Sequence, residues 1–321
     1  MRRKLISMLL LTVSAGTGPA WGQIALPAGS DGSVSVVELT ELAIYHKQRQ
    51  ELIVRAVLDL PAGPVDVDRL ALIIPVPSVP EFIGFEDSSV LRDVKGYYRR
   101  GQGDLQEPRR ITGDYELTRR AIAADDTNPA SQMLNRWLAA NGFAPVEAAD
   151  LKYYDENGWC FVVERVSGGK PLGIGALRPV RISFGGGRIT FPVRIMAGPR
   201  PFSCTLFLMT KNNLDVTPLE DYGFGIGDGA SRKKLKHLPE SLAALIGRSG
   251  GEYSVFKEFK RGHVYLFSAT TDVHRPDWPG EVQLPGPHVS IFGIMQNVLA
   301  VAAAALAVII MSRRRKKTGN E

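Results

Sequence analysis

Cysteine and histidine are scarce in this chain, two and five residues among 321. That scarcity excludes a disulfide-stapled scaffold and leaves little material for zinc, which needs three or four converging ligands. His46, His237, His263, His274 and His288 are nowhere paired at a three- or four-residue spacing, and neither cysteine has a cysteine or histidine close by. His-Glu-x-x-His and Gly-x-Ser-x-Gly are both absent, so zinc-protease and nucleophile-elbow chemistry have no signature. No internal repeat is visible, which argues against a solenoid or propeller. What remains is ordinary globular material, 44% hydrophobic and 22% charged.

Excess positive charge is also missing from the body. The chain carries +6 overall and a pI near 9.3. Arg2, Arg3 and Lys4, with Arg313, Arg314, Arg315, Lys316 and Lys317 less Glu321, account for +7, which leaves about −1 for everything between. A basic footprint for nucleic acid is therefore absent from the body, and the expectation is no nucleic-acid partner.

The two ends are where the charge and the long apolar runs lie. Met1-Arg-Arg-Lys4 precedes the apolar run Leu5 to Val13, which is too short to span a bilayer. Ala20-Trp21-Gly22 before Gln23 fits a small-residue cleavage site, so residues 1–22 read as a signal peptide. A buried N-terminal helix is the alternative. At the other end Val289 to Met311 is uncharged, and its 23 residues would reach about 34 Å as a helix, enough for the hydrocarbon core. Five cations follow, Arg313 to Lys317, and such residues stay on the cytoplasmic side. The pattern predicts a transmembrane helix at 289–311 and a basic cytoplasmic tail at 312–321. The body, 23–288, is then expected outside the cytoplasm, as part of a single-pass protein of the cell membrane. Leu284-Pro285-Gly286-Pro287 has the place of a sorting signal but lacks Leu-Pro-x-Thr-Gly.

Between these ends, strand signals dominate. Val34–Val37, Leu42–Tyr45, Leu52–Leu58 and Leu70–Ile74 are β-branched or apolar runs bounded by Pro61, Pro64, Pro75 and Pro77. Pro75 to Pro80 is expected to leave the sheet, because three prolines remove ladder donors. Residues 96–128 are polar, with room for one edge strand around Tyr115, Leu117 and Ala121. Asn128 as N-cap, Pro129 at the first helical position and Gly142 after Asn141 frame a helix, with Met133, Leu134, Trp137 and Leu138 as its apolar stripe. Asp155-Glu-Asn-Gly158 reads as a hairpin turn between strands at Leu151–Tyr154 and Trp159–Val163. Gly185-Gly-Gly187 links strands Val180–Phe184 and Ile189–Ile195, and Ser167-Gly-Gly169 is a further turn. Phe202–Met209 and Val264–Ser268 are further strands, and Leu238–Ile246 a second helix. The expected class is α+β, β-rich with antiparallel sheets and a few short helices, plus the one C-terminal transmembrane helix.

Several motifs occur in order. They are Ile74-Pro-Val-Pro-Ser-Val-Pro80, Trp137-Leu-Ala-Ala-Asn-Gly-Phe143, Tyr153-Tyr-Asp-Glu-Asn-Gly-Trp159 with Phe161-Val-Val163, Leu177-Arg-Pro-Val-Arg-Ile-Ser-Phe184 and Phe191-Pro-Val-Arg-Ile-Met196. In this combination the chain resembles the bacterial domain-of-unknown-function family numbered 2330, over residues 34–215. The resemblance implies an exported protein, in some members with a C-terminal anchor, and no established activity. Family members carry a Cys-Gly-Gly-type segment after the signal, where this chain has Ser30-Asp-Gly-Ser33.

Candidate chemistry is thin. Gly225 to Ala230 formally matches Gly-x-Gly-x-x-Ala, but it follows the polar Leu219-Glu-Asp-Tyr222 and leads into Arg232-Lys-Lys-Leu-Lys236, so it reads as a surface loop. Asp155 to Gly158 starts like a calcium loop, yet Val166 stands where the bidentate acid should be. Asp31, Asp125 and Asp126 read as plain loop acids. No catalytic, cofactor or metal residue is assigned, and no cofactor is expected. Cys160 and Cys204 both fall on expected strands, and either a disulfide or two separate buried thiols fits them. The function expected is a membrane-anchored envelope protein binding an extracytoplasmic protein or ligand without catalysis. The alternative is an envelope hydrolase with a dispersed site.

Overall fold

In the computed structural model the described residues are 24–26, 28, 34–60, 69–98, 114–167, 173–196, 200–212, 214–224, 233–235, 240–248, 264–273 and 280–286. In chain order the elements are β1 (Ile24–Ala25), β2 (Ser35–His46), β3 (Arg49–Leu60), β4 (Arg69–Val76), β5 (Phe82–Phe85), α1 (Ser88–Tyr98), β6 (Asp114–Ile122), α2 (Ala130–Ala140), α3 (Ala148–Glu156), β7 (Cys160–Ser167), β8 (Gly173–Ala176), β9 (Val180–Gly185), β10 (Arg188–Phe191), β11 (Phe202–Thr210), β12 (Lys233–Leu235), α4 (Glu240–Arg248), β13 (Val264–Val273) and β14 (Val282–Pro285). Short 3-10 turns stand at Arg194–Met196 and Thr217–Tyr222.

The strands form three sheets. The largest runs β12-β13-β11-β2-β3-β9-β5, with β8 also on β3; a second runs β1-β4-β7-β6; and β10 pairs with β14. Pairing in the two larger sheets is antiparallel except between β2 and β11, which run parallel in the middle of the largest sheet. Strand periodicity then sorts the side chains. Leu39, Glu41, Ala43 and Tyr45 of β2 share a face with Ala56, Val54 and Leu52 of β3 and with Cys204, Leu206 and Leu208 of β11. That face packs into the main core together with the second sheet. The opposite face offers Leu42, Ile44, Ile53, Phe207 and Met209 to Val90, Leu91 and Val94 of α1 and to Leu242 and Leu245 of α4. On the second sheet, α3 lies on the side of Phe161, whose ring meets Tyr154 edge-on at 5.5 Å. By alternation Val162 and Glu164 point the other way, toward the first sheet.

The longest hairpin, β2 to β3, turns on Lys47 and Gln48, both at positive φ (50° and 63°). That is the two-residue turn whose twist matches its strands, normally made with Asn-Gly. Two ordinary residues are held there by the ladder on either side. Replacing Lys47 with Asn and Gln48 with Gly is expected to stabilise the chain by about 1 kcal/mol, by removing that conformational cost. An unchanged urea midpoint at equal slope would refute it.

Several expectations are corrected. Among the described residues no helix is long and apolar enough to cross a membrane. α1 and α2 have 11 residues each, roughly 17 Å of helix against roughly 30 Å of hydrocarbon. The fold class is thus α+β and β-rich without the spanning helix; 289–311 and the cations Arg313, Arg314, Arg315, Lys316 and Lys317 lie outside the described residues. Residues to Leu284 form one compact unit and Pro285–Glu321 a second. Leu151–Tyr154 is helix α3 rather than strand, and Asn157-Gly158 ends it, with Gly158 at φ +67°. The glycine run 185–187 joins strands of different sheets instead of a hairpin. β4 continues through Pro75, opposite Phe161. Among the described residues β1 pairs only with Ala71 and Leu72, and no strand pairs with that side of β4 beyond Leu72, where a missing N–H costs little. Pro129 is the N-cap of α2, one residue later than expected, while the Asn128 side chain bonds Asp125 and Arg136 instead.

Candidate functional site

Among the described residues five carboxyl side chains are buried: Glu51 at 2% and Glu86 at 6% exposure, both ion-paired with Arg181, and, deeper in the core, Glu41 and Glu164 at 0% and Glu281 at 2%. A strand buried on both faces buries everything it carries, and β2 and β7 are such strands. Glu41 falls at the same parity as Leu39 and Ala43 and so enters the core, with neither oxygen hydrogen-bonded. Burial, reinforced by Glu281, lifts its carboxyl well above the usual range. Glu164 also has both oxygens unbonded. Burial raises it to about 8 against the attraction of Arg178. Glu281 is better served. It accepts from the Tyr154 hydroxyl, from the Arg194 N–H at 2.8 Å and from the N–H groups of Val193 and Ile195. Burial still raises it to about 7. Perturbed carboxyls commonly mark catalytic sites. Here they are sealed from solvent, so no substrate could reach them in this conformation. The Glu-x-x-Glu spacing of Glu38 and Glu41 could have revealed one of them, since three residues apart on a strand means opposite faces.

A second constellation lies at the end of the largest sheet. Val79 and Phe82 are large apolar side chains at 60% and 39% exposure, three residues apart on the approach to edge strand β5. The Phe82 ring folds back over Gly84, where a Cβ would come within 2.6 Å of it. Arg181, opposite Gly84 on β9, places its guanidinium 5.1 Å from the Phe82 ring centre. Arg181 also donates to Glu51 at 2.9 Å and pairs with Glu86 at 3.8 Å, which fixes it there. Arg178 stands 4.4 Å over Phe85, and Arg49 pairs with Glu81 at 3.4 Å on the rim. Ser78 donates to the Gly185 carbonyl at 2.7 Å and anchors the preceding turn. The result is a small apolar surface whose aromatics are faced by arginines.

An apolar cleft is also present, lined by Phe191, Leu206, Leu208, Val216, Leu219, Phe267 and Leu284 among others; its free space is about 10 Å³, room for no more than one water. Among the described residues no group of three or more His, Cys, Asp or Glu could hold a metal ion.

Cys160 and Cys204 are both free thiols and both buried, on β7 and β11 of different sheets. Asp125 is fully exposed and accepts from the backbone and side chains of Thr127 and Asn128, which holds its carboxyl at about 2. Asp155, expected in a turn, caps α2 by accepting from the Ser131 backbone at 3.0 Å and from its hydroxyl. Asp31, His237, His263, His274, His288 and the stretch Gly225 to Ala230 lie outside the described residues.

No curated protein matches this chain. Among solved structures, a crystal structure of baculovirus P35 is similar with a TM-score of 0.43 and 8% identity, over 79% of this chain and 97% of that one. The model of a family described as an uncharacterized protein conserved in bacteria, DUF2330, matches residues 104–224. The family whose model matches residues 104–224 is thus the one that the motifs resemble, and the motif Ile74–Pro80 lies outside the matched stretch.

Proposed function

We propose that the chain is an exported, non-catalytic binding protein that docks a protein partner on the surface around Val79 and Phe82. The observation that carries the reading is the pairing of those two exposed apolar side chains with arginines held over the neighbouring aromatics. Phe and Arg together are the composition of an interface centre rather than of an ordinary surface. Arg49 and Glu81 stand ion-paired and exposed on the rim, so the partner segment that fits is an apolar side chain flanked by polar ones. Export rests on the cationic and apolar start of the sequence. Hydrolysis has no comparable support, since Glu41, Glu164 and Glu281 are all at 2% exposure or less.

The test uses the full chain with a photo-crosslinker at Phe82, and at Lys152 as a control, in envelope extract. The expected result is an adduct specific to Phe82. The double substitution Val79→Ser, Phe82→Ala should weaken affinity for the captured protein by about 30-fold or more, the effect of losing an interface centre. Equal affinity in a folded double variant, or turnover of ester, peptide or glycan substrates by the purified chain, would sink the reading.

A further inference from the structure

Two of the sequence motifs, residues 153–159 and 191–196, meet at one place in the structure. Arg194, in the 3-10 turn after β10, lays its guanidinium over the Tyr153 ring of α3, 5.0 Å from the ring centre. The Tyr153 hydroxyl accepts from the side-chain N–H of Gln283 on β14 at 3.5 Å. The carbonyl oxygen of that same amide accepts from Arg188 of β10 at 3.0 Å. Arg188 is exposed, and Tyr153, Arg194 and Gln283 are half-buried. Among the described residues no carboxylate pairs with Arg188 or Arg194, whereas Arg49, Arg55 and Arg181 each have one. Glu281, two residues before Gln283, is buried, and its oxygens are taken by Tyr154 and the 193–195 backbone. On α3, Glu156 is engaged with Lys152 at 3.6 Å. Tyr153, Arg188 and Arg194 fall inside the stretch that the family model matches, and Val79 and Phe82 fall outside it.

We propose that Arg188, Arg194 and Tyr153, positioned by Gln283 and Glu281, form a binding site for a phosphate group, carried by a small phosphate ester or by a lipid headgroup. The outward-facing groups are donors: two guanidinium forks and a phenol O–H. One fork satisfies a carboxylate, which has two oxygens. Two forks and a hydroxyl call for an oxyanion with more, and guanidinium matches phosphate oxygens two at a time. The donors are also held in place before any ligand arrives. Gln283 fixes Arg188, and the Tyr153 ring fixes the Arg194 side chain while Glu281 grips its backbone N–H. Little ordering is left to oppose binding. Burial keeps the Tyr153 hydroxyl above its usual range, so it stays a neutral donor. The site uses none of the residues of the Val79 and Phe82 surface and is independent of the docking reading.

Titration calorimetry of the full chain at constant ionic strength tests this with inorganic phosphate and glycerol phosphate, and with acetate as control. A phosphate should bind, and acetate should bind about tenfold more weakly or worse. Arg188→Gln and Arg194→Gln should each weaken phosphate binding by about tenfold or more, the effect of losing a charged donor pair. The exposed Arg188 variant should melt, without phosphate, where the parent chain does. Arg188→Lys should recover only part of the affinity, because it keeps the charge and loses the fork. Sedimentation with phosphatidylglycerol vesicles but not phosphatidylcholine vesicles, lost in the same variants, assigns the group to a lipid headgroup. Calorimetric binding without such sedimentation assigns it to a soluble ester. Val79→Ser, Phe82→Ala should bind phosphate as the parent chain does, so failure of the docking reading leaves this site standing. No binding of phosphate in any of these forms, acetate bound equally well, or binding that survives Arg188→Gln would overturn the site.

Discussion

Unfolding free energy is expected to fall as pH rises from ~5 to ~8, the reverse of the usual acid sensitivity. Glu41, raised well above the ordinary range, contributes to this, and so does Glu164. Its folded value of about 8 lies above the ordinary 4.5, so the folded state holds its proton where the unfolded chain has released it. Stability from this group is complete below pH ~4.5, declines through the window and is lost above pH ~8. A shift of this size corresponds to about 5 kcal/mol, comparable to the whole stability of many domains. Glu281, at about 7, adds a decline of about 3 kcal/mol over a narrower window. Glu38 opposes both. Burial raises it, but Lys95 at 3.1 Å and Arg55 at 3.6 Å outweigh that and hold it below the ordinary value, so its contribution is lost as pH falls. The stability maximum should therefore lie near pH ~5. Urea titrations across this range check it. Glu164→Gln should flatten the profile and raise stability at pH ~8 by several kcal/mol. A profile that rises toward pH ~8 would show that water or a cation reaches Glu164.

Phe161→Ala is expected to cost about 3–5 kcal/mol, the range for emptying a buried aromatic site. Phe161 is fully buried and stands where three parts meet: β4 at Pro75, β6 at Ile122, and α3 through the Tyr154 ring. Tyr154 in turn meets Trp159 at 5.6 Å and Tyr153 at 5.3 Å, so removing Phe161 also loosens the ring cluster that presents the Tyr154 hydroxyl. Phe161→Leu keeps most of the volume and should cost under half as much. Thermal melts of both variants settle it, and a loss below about 1 kcal/mol for the alanine would mean that the site collapses around the gap.

Much of the strand content was legible because apolar and β-branched runs need burial wherever they occur; β2, β3, β4, β11 and β13 came from that alone. α2 was legible from its stripe and its closing glycine. α1 was not. Its Val90, Leu91 and Val94 have helical spacing, and Asp87 accepts from the Ser89 N–H at the start, but the Arg-rich stretch that follows hid its boundary. Tyr153-Tyr154 drew α3 toward a strand reading, since aromatics favour strands until packing decides otherwise. The turn at Lys47-Gln48 carries no turn residues at all. Which strands share a sheet was out of reach, because the three sheets interleave along the chain. The surface at Val79 and Phe82 was hidden by its prolines, which read as a break and not as a display. The buried carboxyls depend on which strand faces are covered, a property of the assembled layers.

The parallel neighbours β2 and β11 set the timetable of folding. Leu39 lies opposite Cys204, some 165 positions later, and β11 takes its other partner from β13, with Cys204 opposite Thr271. Loop closure over such separations has to precede any gain from pairing, so contact order is high and folding slow. The β2–β3 hairpin can form early and locally, but the outer edge of β2 must then wait, apolar and unpaired, until β11 has emerged to pair with it. During synthesis that waiting edge is the aggregation hazard of this molecule, and a holding chaperone would act on it.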